Sequence, residues 1–146
     1  MKRFILSAAS LIAAVSMASV LASTDPVLTI TVDNSKAPSS TYSVMRIGPL
    51  KICSTTTAPA TQGGKTSSNE IKQSELEATC LSSTNCSIQL MENTQASCKD
   101  ATVIGTVNIN PSNIGGSGAL LSGATQPNNW SYQEHNNNEV DITTNK

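Results

Sequence analysis

Residues 80–109 constrain the fold more than any other part of the chain, because they include three of the four cysteines and two strand-like runs. Residues 86–90 alternate apolar and polar side chains, which is the period-2 pattern of a half-buried strand. Residues 102–109 are rich in β-branched side chains. The intervening residues 93–101 are small and polar, with turn-forming Asn, Ser and Asp. We therefore predict an antiparallel hairpin with a medium-length loop.

The four cysteines, Cys53, Cys80, Cys86 and Cys98, are expected to form two disulfides. Four cysteines allow three connectivities, and spacing alone selects none of them. Pairing Cys53 with Cys80 and Cys86 with Cys98 would clamp the hairpin near its loop and tie an earlier strand to it. In the chain-entropy model each such bridge contributes about 3 to 4 kcal/mol. We favour this pairing and leave the other two open.

Residues 1–22 have the pattern of a secretory signal peptide. Lys2 and Arg3 give a positive start, apolar and small residues follow, and Ala22 ends a small-residue cleavage site. The apolar run is short for a membrane-spanning helix and is interrupted by serines. We therefore predict export to the periplasm or the extracellular space, with no stable membrane anchor after cleavage.

Cleavage after Ala22 would leave 124 residues, and we predict one small β domain at 23–146. Loss of two basic residues would change the formal net charge from −1 to −3. No basic patch is present in the sequence, so nucleic-acid binding is not expected. The remaining aromatic residues are Tyr42, Trp130 and Tyr132. The core must therefore come mainly from Val, Ile and Leu, and disulfides would supplement it.

Two further strand regions precede the hairpin. Val27–Asp33 alternates cleanly, and 41–53 predicts a strand, or two short strands, broken at Gly48-Pro49. Alternation groups the following apolar side chains on shared faces: Leu28, Ile30 and Val32; Met45 and Ile47; Leu50 and Ile52, expected to face the core again after the break; and Val103, Val107 and Ile109 in the hairpin.

Residues 54–69 are polar and small, which is typical of a flexible loop. Ser67 and Glu70 are spaced as in a capping box, which predicts a short helix over about 68–81. The sequence as a whole predicts a mainly β fold, a small antiparallel sandwich or open barrel of six to eight short strands with this one helix, held together by disulfides.

The C-terminal part of the chain leaves alternatives open. Residues 111–123 are glycine-rich and predict either a mobile loop or one short strand. For residues 119–121 within this segment, we favour the interpretation that they fill a corner of the core. The alternative is that they form an exposed apolar patch. In the Asn-rich segment 126–146, a last hairpin is favoured over a disordered tail, because Trp130 would otherwise lack a core.

Motifs for nucleophilic or nucleotide chemistry are incomplete. The residues around Ser117 resemble the G-x-S-x-G elbow, but Ala119 replaces the last glycine and no strand–helix pattern flanks it. Gly63-Gly64-Lys65 lacks the upstream glycine of a P-loop. We therefore expect no catalytic nucleophile and no cofactor.

A metal site is not expected either. His135, Glu139 and Asp141 provide nitrogen and oxygen atoms of the kinds that bind metals, but an Asn-rich segment does not favour the helix that would align them. The cysteine spacing matches no paired-cysteine zinc motif, and disulfides use these thiols more economically.

Glycoside cleavage requires two acids that face each other across a cleft. Glu92, Asp100, Glu134 and Asp141 are available, but no spacing singles out two of them. A dispersed charged surface is therefore the simpler interpretation.

By elimination, the sequence predicts a non-enzymatic binding or interaction module of the cell envelope or extracellular space, with a protein or glycan partner. Two alternatives remain. One is a small secreted hydrolase in which two of the four acids converge. The other is a protein inhibitor that presents residues 93–97 inside a Cys86–Cys98 ring, since a ring lowers the ordering cost of binding.

Overall fold

The computed structural model describes residues 24–53, 60–125 and 130–144. The expected signal peptide at 1–22 lies outside the described residues, as do 54–59 of the expected loop. The described residues form two packed sheets that do not close into a barrel, with one α-helix and two disulfides. The prediction of a mainly β, disulfide-stapled fold is therefore confirmed. The expected six to eight strands were too few, since the described residues include ten.

The first sheet, sheet A, has four strands in the order β5 (Thr66–Lys72), β1 (Val27–Asp33), β10 (Glu139–Thr144) and β9 (Trp130–His135). Strand β1 is antiparallel to β5 and parallel to β10, so the first and last described strands pair at the centre of the sheet. Strands β9 and β10 form the hairpin expected around the Asn run.

The second sheet, sheet B, is antiparallel throughout. Its strands are β3 (Ile52–Cys53), β2 (Tyr42–Ile47), β6 (Cys86–Asn93), β7 (Thr102–Ile109) and β8 (Leu121–Thr125), in that order, and β4 (Thr61–Gln62) also pairs with β2. Strands β6 and β7 are the predicted hairpin, and the predicted break separates β2 from β3.

The main core lies between the two sheets. In β1, Leu28, Ile30 and Val32 are buried while the residues between them are half-buried, as the alternation predicted. The core also includes Met45, Ile47, Ile71, Leu76, Ile88, Leu90, Val107, Ile109, Ile114, Leu120, Trp130, Val140 and Ile142. Leu120 is fully buried and Leu121 packs against the core, as favoured from the sequence for residues 119–121, but Ala119 is exposed.

Trp130 joins the two sheets. Its indole lies directly on Gly105, where an added Cβ would be only 2.0 Å from the ring. The indole Nε1 donates a hydrogen bond of 2.9 Å to the carbonyl oxygen of Ile104. The tryptophan thus buries its ring against β7 and satisfies its polar atom at the same place, which is how buried tryptophans are normally accommodated.

Val103 is 47% exposed, although alternation placed it with Val107. The pairing of β7 with β6 shifts at this point, so that Ile104 has no residue directly opposite. This β-bulge inserts one residue into β7 and changes which side chains face the core. The prediction for Val103 was therefore wrong.

The helix is shorter than predicted. Helix α1 covers Gln73–Thr79, not 68–81, and the expected capping-box residues Ser67 and Glu70 lie in β5. Strand β5 has Ile71 as its only buried residue, so its sequence lacks the apolar alternation of a typical strand. The predicted loop at 54–69 is also wrong where it is described, because residues 60–69 contain β4 and the start of β5.

Leu50 and Ile52 were expected to face the core but are 63% and 46% exposed. The turn between β2 and β3 contains Gly48 at φ +72° and Lys51 at φ +51°, and this turn changes the phase of the alternation. Gly48 is also required by packing, since an added Cβ would lie 2.4 Å from the carbonyl oxygen of Thr79.

Candidate functional site

The disulfides define the geometry of sheet B. Cys53 is joined to Cys98 and Cys80 to Cys86, with Cα–Cα distances of 5.9 and 5.4 Å. The pairing favoured from the sequence was therefore wrong. The reason is that residues 93–101, here called the pocket loop, fold back along sheet B towards Cys53, which lies opposite Arg46 in the ladder.

The pocket loop is fixed by hydrogen bonds as well as by its disulfide. The Arg46 guanidinium donates a hydrogen bond of 2.7 Å to the carbonyl oxygen of Cys98. The Asn93 side-chain amide donates to the carbonyl oxygens of Ser97 and Lys99, at 2.6 and 2.8 Å. The loop is thus tied to β2 at one point and crosslinked internally at another.

A second apolar cluster lies beneath the pocket loop. Val44, Met91 and Cys98 are its buried members, and Tyr42, Cys53, Ala60 and Ala101 pack against it. Val44 is adjacent in β2 to Met45, which belongs to the main core, so the two point to opposite faces of sheet B. The loop therefore covers apolar residues on the outer face of the sheet.

A polar pocket of about 340 Å³ opens beside this loop, where β6 ends and β7 begins. Its lining residues are Thr41, Glu92, Asn93, Thr94, Asp100 and Thr102. Glu92 lies directly opposite Thr102 in the β6–β7 ladder, and its Oε1 atom is shielded from solvent. The volume falls within the range of small-ligand sites.

Two of the four acids considered from the sequence, Glu92 and Asp100, therefore line one pocket. The other two lie elsewhere. The Glu134 carboxylate accepts hydrogen bonds of 3.2 and 3.3 Å from the backbone amides of Leu120 and Leu121, and so holds the start of β8 against β9. Its contacts are structural.

The fourth acid, Asp141, forms a hydrogen bond with His135 on sheet A, with 3.1 Å between Oδ2 and Nε2. Both side chains are more than one-third exposed. Among residues 24–53, 60–125 and 130–144, no group of three or more His, Cys, Asp or Glu side chains is arranged to bind a metal ion. Glu139, which was considered with these two residues as a possible metal ligand, lies directly opposite His135 in the antiparallel β9–β10 pair.

The glycine-rich segment around Ser117 is held in place. The Asn137 side-chain amide donates to the carbonyl oxygens of Gly116 and Gly118 at 2.9 and 2.5 Å. The Asn113 side-chain amide donates to the carbonyl oxygen of Ala119 at 2.8 Å. Ser117 is exposed between a short 3-10 helix (Pro111–Asn113) and β8, not at a strand-to-helix turn. The geometry of a nucleophile elbow is absent at this serine.

The inhibitor hypothesis changes with the disulfides. The Cys86–Cys98 ring that would have presented residues 93–97 does not form. Cys86 closes instead a short ring of residues 80–86, in which the five residues between the cysteines are exposed.

Two of the residues that line the pocket were not singled out from the sequence as chemically relevant: Thr41 and Thr102. Each is a neutral residue at or next to the end of a strand, and nothing in its local sequence distinguishes it from other turn threonines. Only the strand order brings Thr41, immediately before β2, beside the hairpin loop.

Two disulfides among the described residues indicate an oxidising compartment. Within those same residues no helix has the length and apolar character needed to span a membrane. No family model, curated protein or solved structure matches the chain, so its function has to be argued from the site itself.

Proposed function

We propose that this protein is an exported, non-enzymatic binding module of the cell envelope or extracellular space that holds its partner through the polar pocket. The observation that supports this most directly is the attachment of the pocket to a loop fixed by the Cys53–Cys98 disulfide. A rigid recognition loop loses little conformational entropy when it binds, which favours affinity.

Several features agree with a binding role. The pocket loop buries Cys98 and pairs its own polar groups, so it is a formed surface in the free protein. The pocket is open and polar, as expected for contact with a projecting group of a larger partner. Loops that project from a rigid β-scaffold are common recognition surfaces.

The test is a pull-down from envelope and medium fractions with three forms of the processed protein. Thr102→Trp places a large ring in the pocket at an exposed lining residue, and Ser131→Trp places the same ring at an exposed position of β9 as the matched control. We expect the wild type and Ser131→Trp to retain the same partner and Thr102→Trp to lose it. Equal retention by both tryptophan variants would overturn the proposal.

A second candidate function is supported by the presence of Glu92 and Asp100 in one pocket. A secreted hydrolase would use one of these carboxylates as a general acid and the other as a base or nucleophile. This candidate predicts turnover of a glycan or ester panel that both Glu92→Gln and Asp100→Asn abolish. Turnover that survives both substitutions, or no turnover in the wild type, would exclude it.

A further inference from the structure

We propose that the pocket binds a basic side chain of a partner protein, the guanidinium of an arginine or the ammonium of a lysine. This inference rests on the proposed function and specifies the chemistry of the group that occupies the pocket.

Charge is the first argument. Of the described residues that line the pocket, two are acidic and none is basic. Lys99 precedes Asp100 in the chain but is exposed and does not line the pocket, and Arg46 is engaged with the Cys98 carbonyl oxygen. A cationic group would therefore be attracted, and an anionic group such as a phosphate would be repelled.

The balance of hydrogen-bond donors and acceptors is the second and independent argument. The amide donors of Asn93 are already used by the carbonyl oxygens of Ser97 and Lys99, and its Oδ1 accepts from the backbone amides of Thr94 and Gln95 at 2.7 and 3.4 Å. The Thr41 hydroxyl donates to the carbonyl oxygen of Pro38 at 2.7 Å, so towards the pocket it can only accept.

Among the described lining residues, acceptors thus come from the two carboxylates and Thr41, while the hydroxyls of Thr94 and Thr102 can act in either sense. Guanidinium and ammonium groups carry five and three donors and no acceptor, which complements such a lining. The carboxylate of Asp100, which is exposed, can also make the two-point contact that arginine forms with a single acid.

Other occupants fit less well. A sugar presents acceptors as well as donors and is usually stacked on an aromatic ring, but the part of the lining that the structure describes includes no aromatic residue, and Tyr42 packs against the apolar cluster. A calcium ion requires six to eight oxygen ligands at about 2.3–2.6 Å, whereas this pocket is wide and has two carboxylates.

The experiment is a titration of the isotope-labelled processed protein, followed through its backbone amide resonances. The probes are blocked Gly-Arg-Gly and Gly-Lys-Gly peptides, the same peptide with neutral citrulline in place of arginine, and calcium chloride. We expect the arginine and lysine peptides to shift resonances of residues 92–102, and the citrulline peptide to bind at least about tenfold more weakly.

Substitutions sharpen this result. Asp100→Asn removes a charge from an exposed lining residue and should weaken the arginine peptide about tenfold; Glu92→Gln should do the same. The matched control is Glu70→Gln, an exposed acid on β5, which should leave the affinity unchanged. Since Asp100 is exposed, its variant should fold even if Glu92→Gln does not.

Three outcomes would overturn the inference: equal affinity for the arginine and citrulline peptides, an unchanged affinity in Asp100→Asn, or a response to calcium alone. None of them removes the proposed function if Thr102→Trp still abolishes partner retention. Conversely, if Thr102→Trp retains the partner while the peptides bind the pocket, the pocket binds basic groups but is not the partner site.

Discussion

The two disulfide-bonded segments of sheet B lie at opposite ends of strand β6 and show how differently the same crosslink can be used. The Cys53–Cys98 bond joins residues 45 apart and holds the pocket loop over the apolar cluster of Val44 and Met91. The Cys80–Cys86 bond joins residues 6 apart and closes the ring at 80–86, between α1 and β6. The first bond organises a surface, and the second fixes a local connection.

Burial confirms the contrast. In the ring only the two cysteines are buried, Leu81 is 62% exposed, and Leu81 and Ser82 both adopt positive φ. In the pocket loop, Cys98 is buried and several polar groups are paired within the loop. The ring is also hydrogen-bonded internally, since the Ser83 hydroxyl donates to the carbonyl oxygen of Asn85 at 3.2 Å, so what distinguishes the pocket loop is the apolar packing beneath it.

The largest expected effect is the loss of the long-range bond. In the chain-entropy model, Cys53→Ser with Cys98→Ser should lower the free energy of unfolding by about 4 kcal/mol, because a 45-residue loop becomes unrestricted in the unfolded chain. Urea unfolding of the processed protein measures this. Partner retention should fall with it, since the pocket loop loses its attachment to β3; a variant that unfolds like the wild type would refute the role assigned to this bond.

The next effect concerns the end of the sandwich that carries the pocket, here called the pocket end, and tests whether it also depends on buried polar contacts. Asn34 is fully buried after β1; its Nδ2 donates to the carbonyl oxygen of Thr61 at 3.0 Å, and its Oδ1 accepts from Thr144 Oγ1 at 2.5 Å. Asn34→Ala leaves these partners without their contact in the interior and should cost about 3 kcal/mol by urea unfolding.

The matched control for Asn34→Ala is at the ring end. Asn85 is exposed, and its Oδ1 accepts one long hydrogen bond of 3.3 Å from Ser122 Oγ. Asn85→Ala should change the free energy of unfolding by less than about 0.5 kcal/mol. Similar losses of unfolding free energy in the two variants would show that the ring depends on its side-chain hydrogen bonds as strongly as the pocket end does. That result would contradict the comparison.

The short-range bond comes third. Cys80→Ser with Cys86→Ser frees a loop of only 6 residues, for which the chain-entropy model gives about 2 kcal/mol, half the value for the other bond. Amide resonances of 92–102 should remain in place and peptide binding should persist. A loss of stability as large as that of the Cys53/Cys98 variant would mean that the ring does more than close a local connection.

The same contrast explains what the sequence could predict. Strands with alternating apolar residues, such as β1 and β6, were predicted, because alternation directly reports burial on one face. Strand β5 was missed because its inward positions are mostly small and polar. In addition, Ser67 and Glu70 have the spacing of a capping box, which is typical of a helix N-terminus.

The disulfide pairing and the pocket depend on tertiary contacts that leave no local signal. Cys98 is close to Cys86 in sequence, but the hairpin loop folds back onto sheet B and brings it to Cys53. The pocket joins Thr41 to a hairpin fifty residues away through the β2–β6 ladder. The acids Glu92 and Asp100 could be named from the sequence, but their convergence could not.

The smallest expected effect is a pH dependence at the pocket end. Hydrogen bonds from Ser35, whose amide lies 2.9 Å from Asp33 Oδ1, and from the Thr66 hydroxyl at 3.1 Å lower the pKa of the Asp33 carboxyl. Because the pKa is lower in the folded protein, the ionised carboxylate stabilises the fold above its unfolded pKa of about 3.9, and this contribution is lost as the pH falls through the folded value. Urea unfolding of the wild type and Asp33→Asn should therefore differ by at most about 1 kcal/mol at pH 7, and this difference should shrink as the pH falls below about 3.9. A difference that stays constant or grows on acidification would show that the Ser35 and Thr66 contacts do not favour the charged form, and that Asp33 matters to this end of the sandwich only through the shape of its turn.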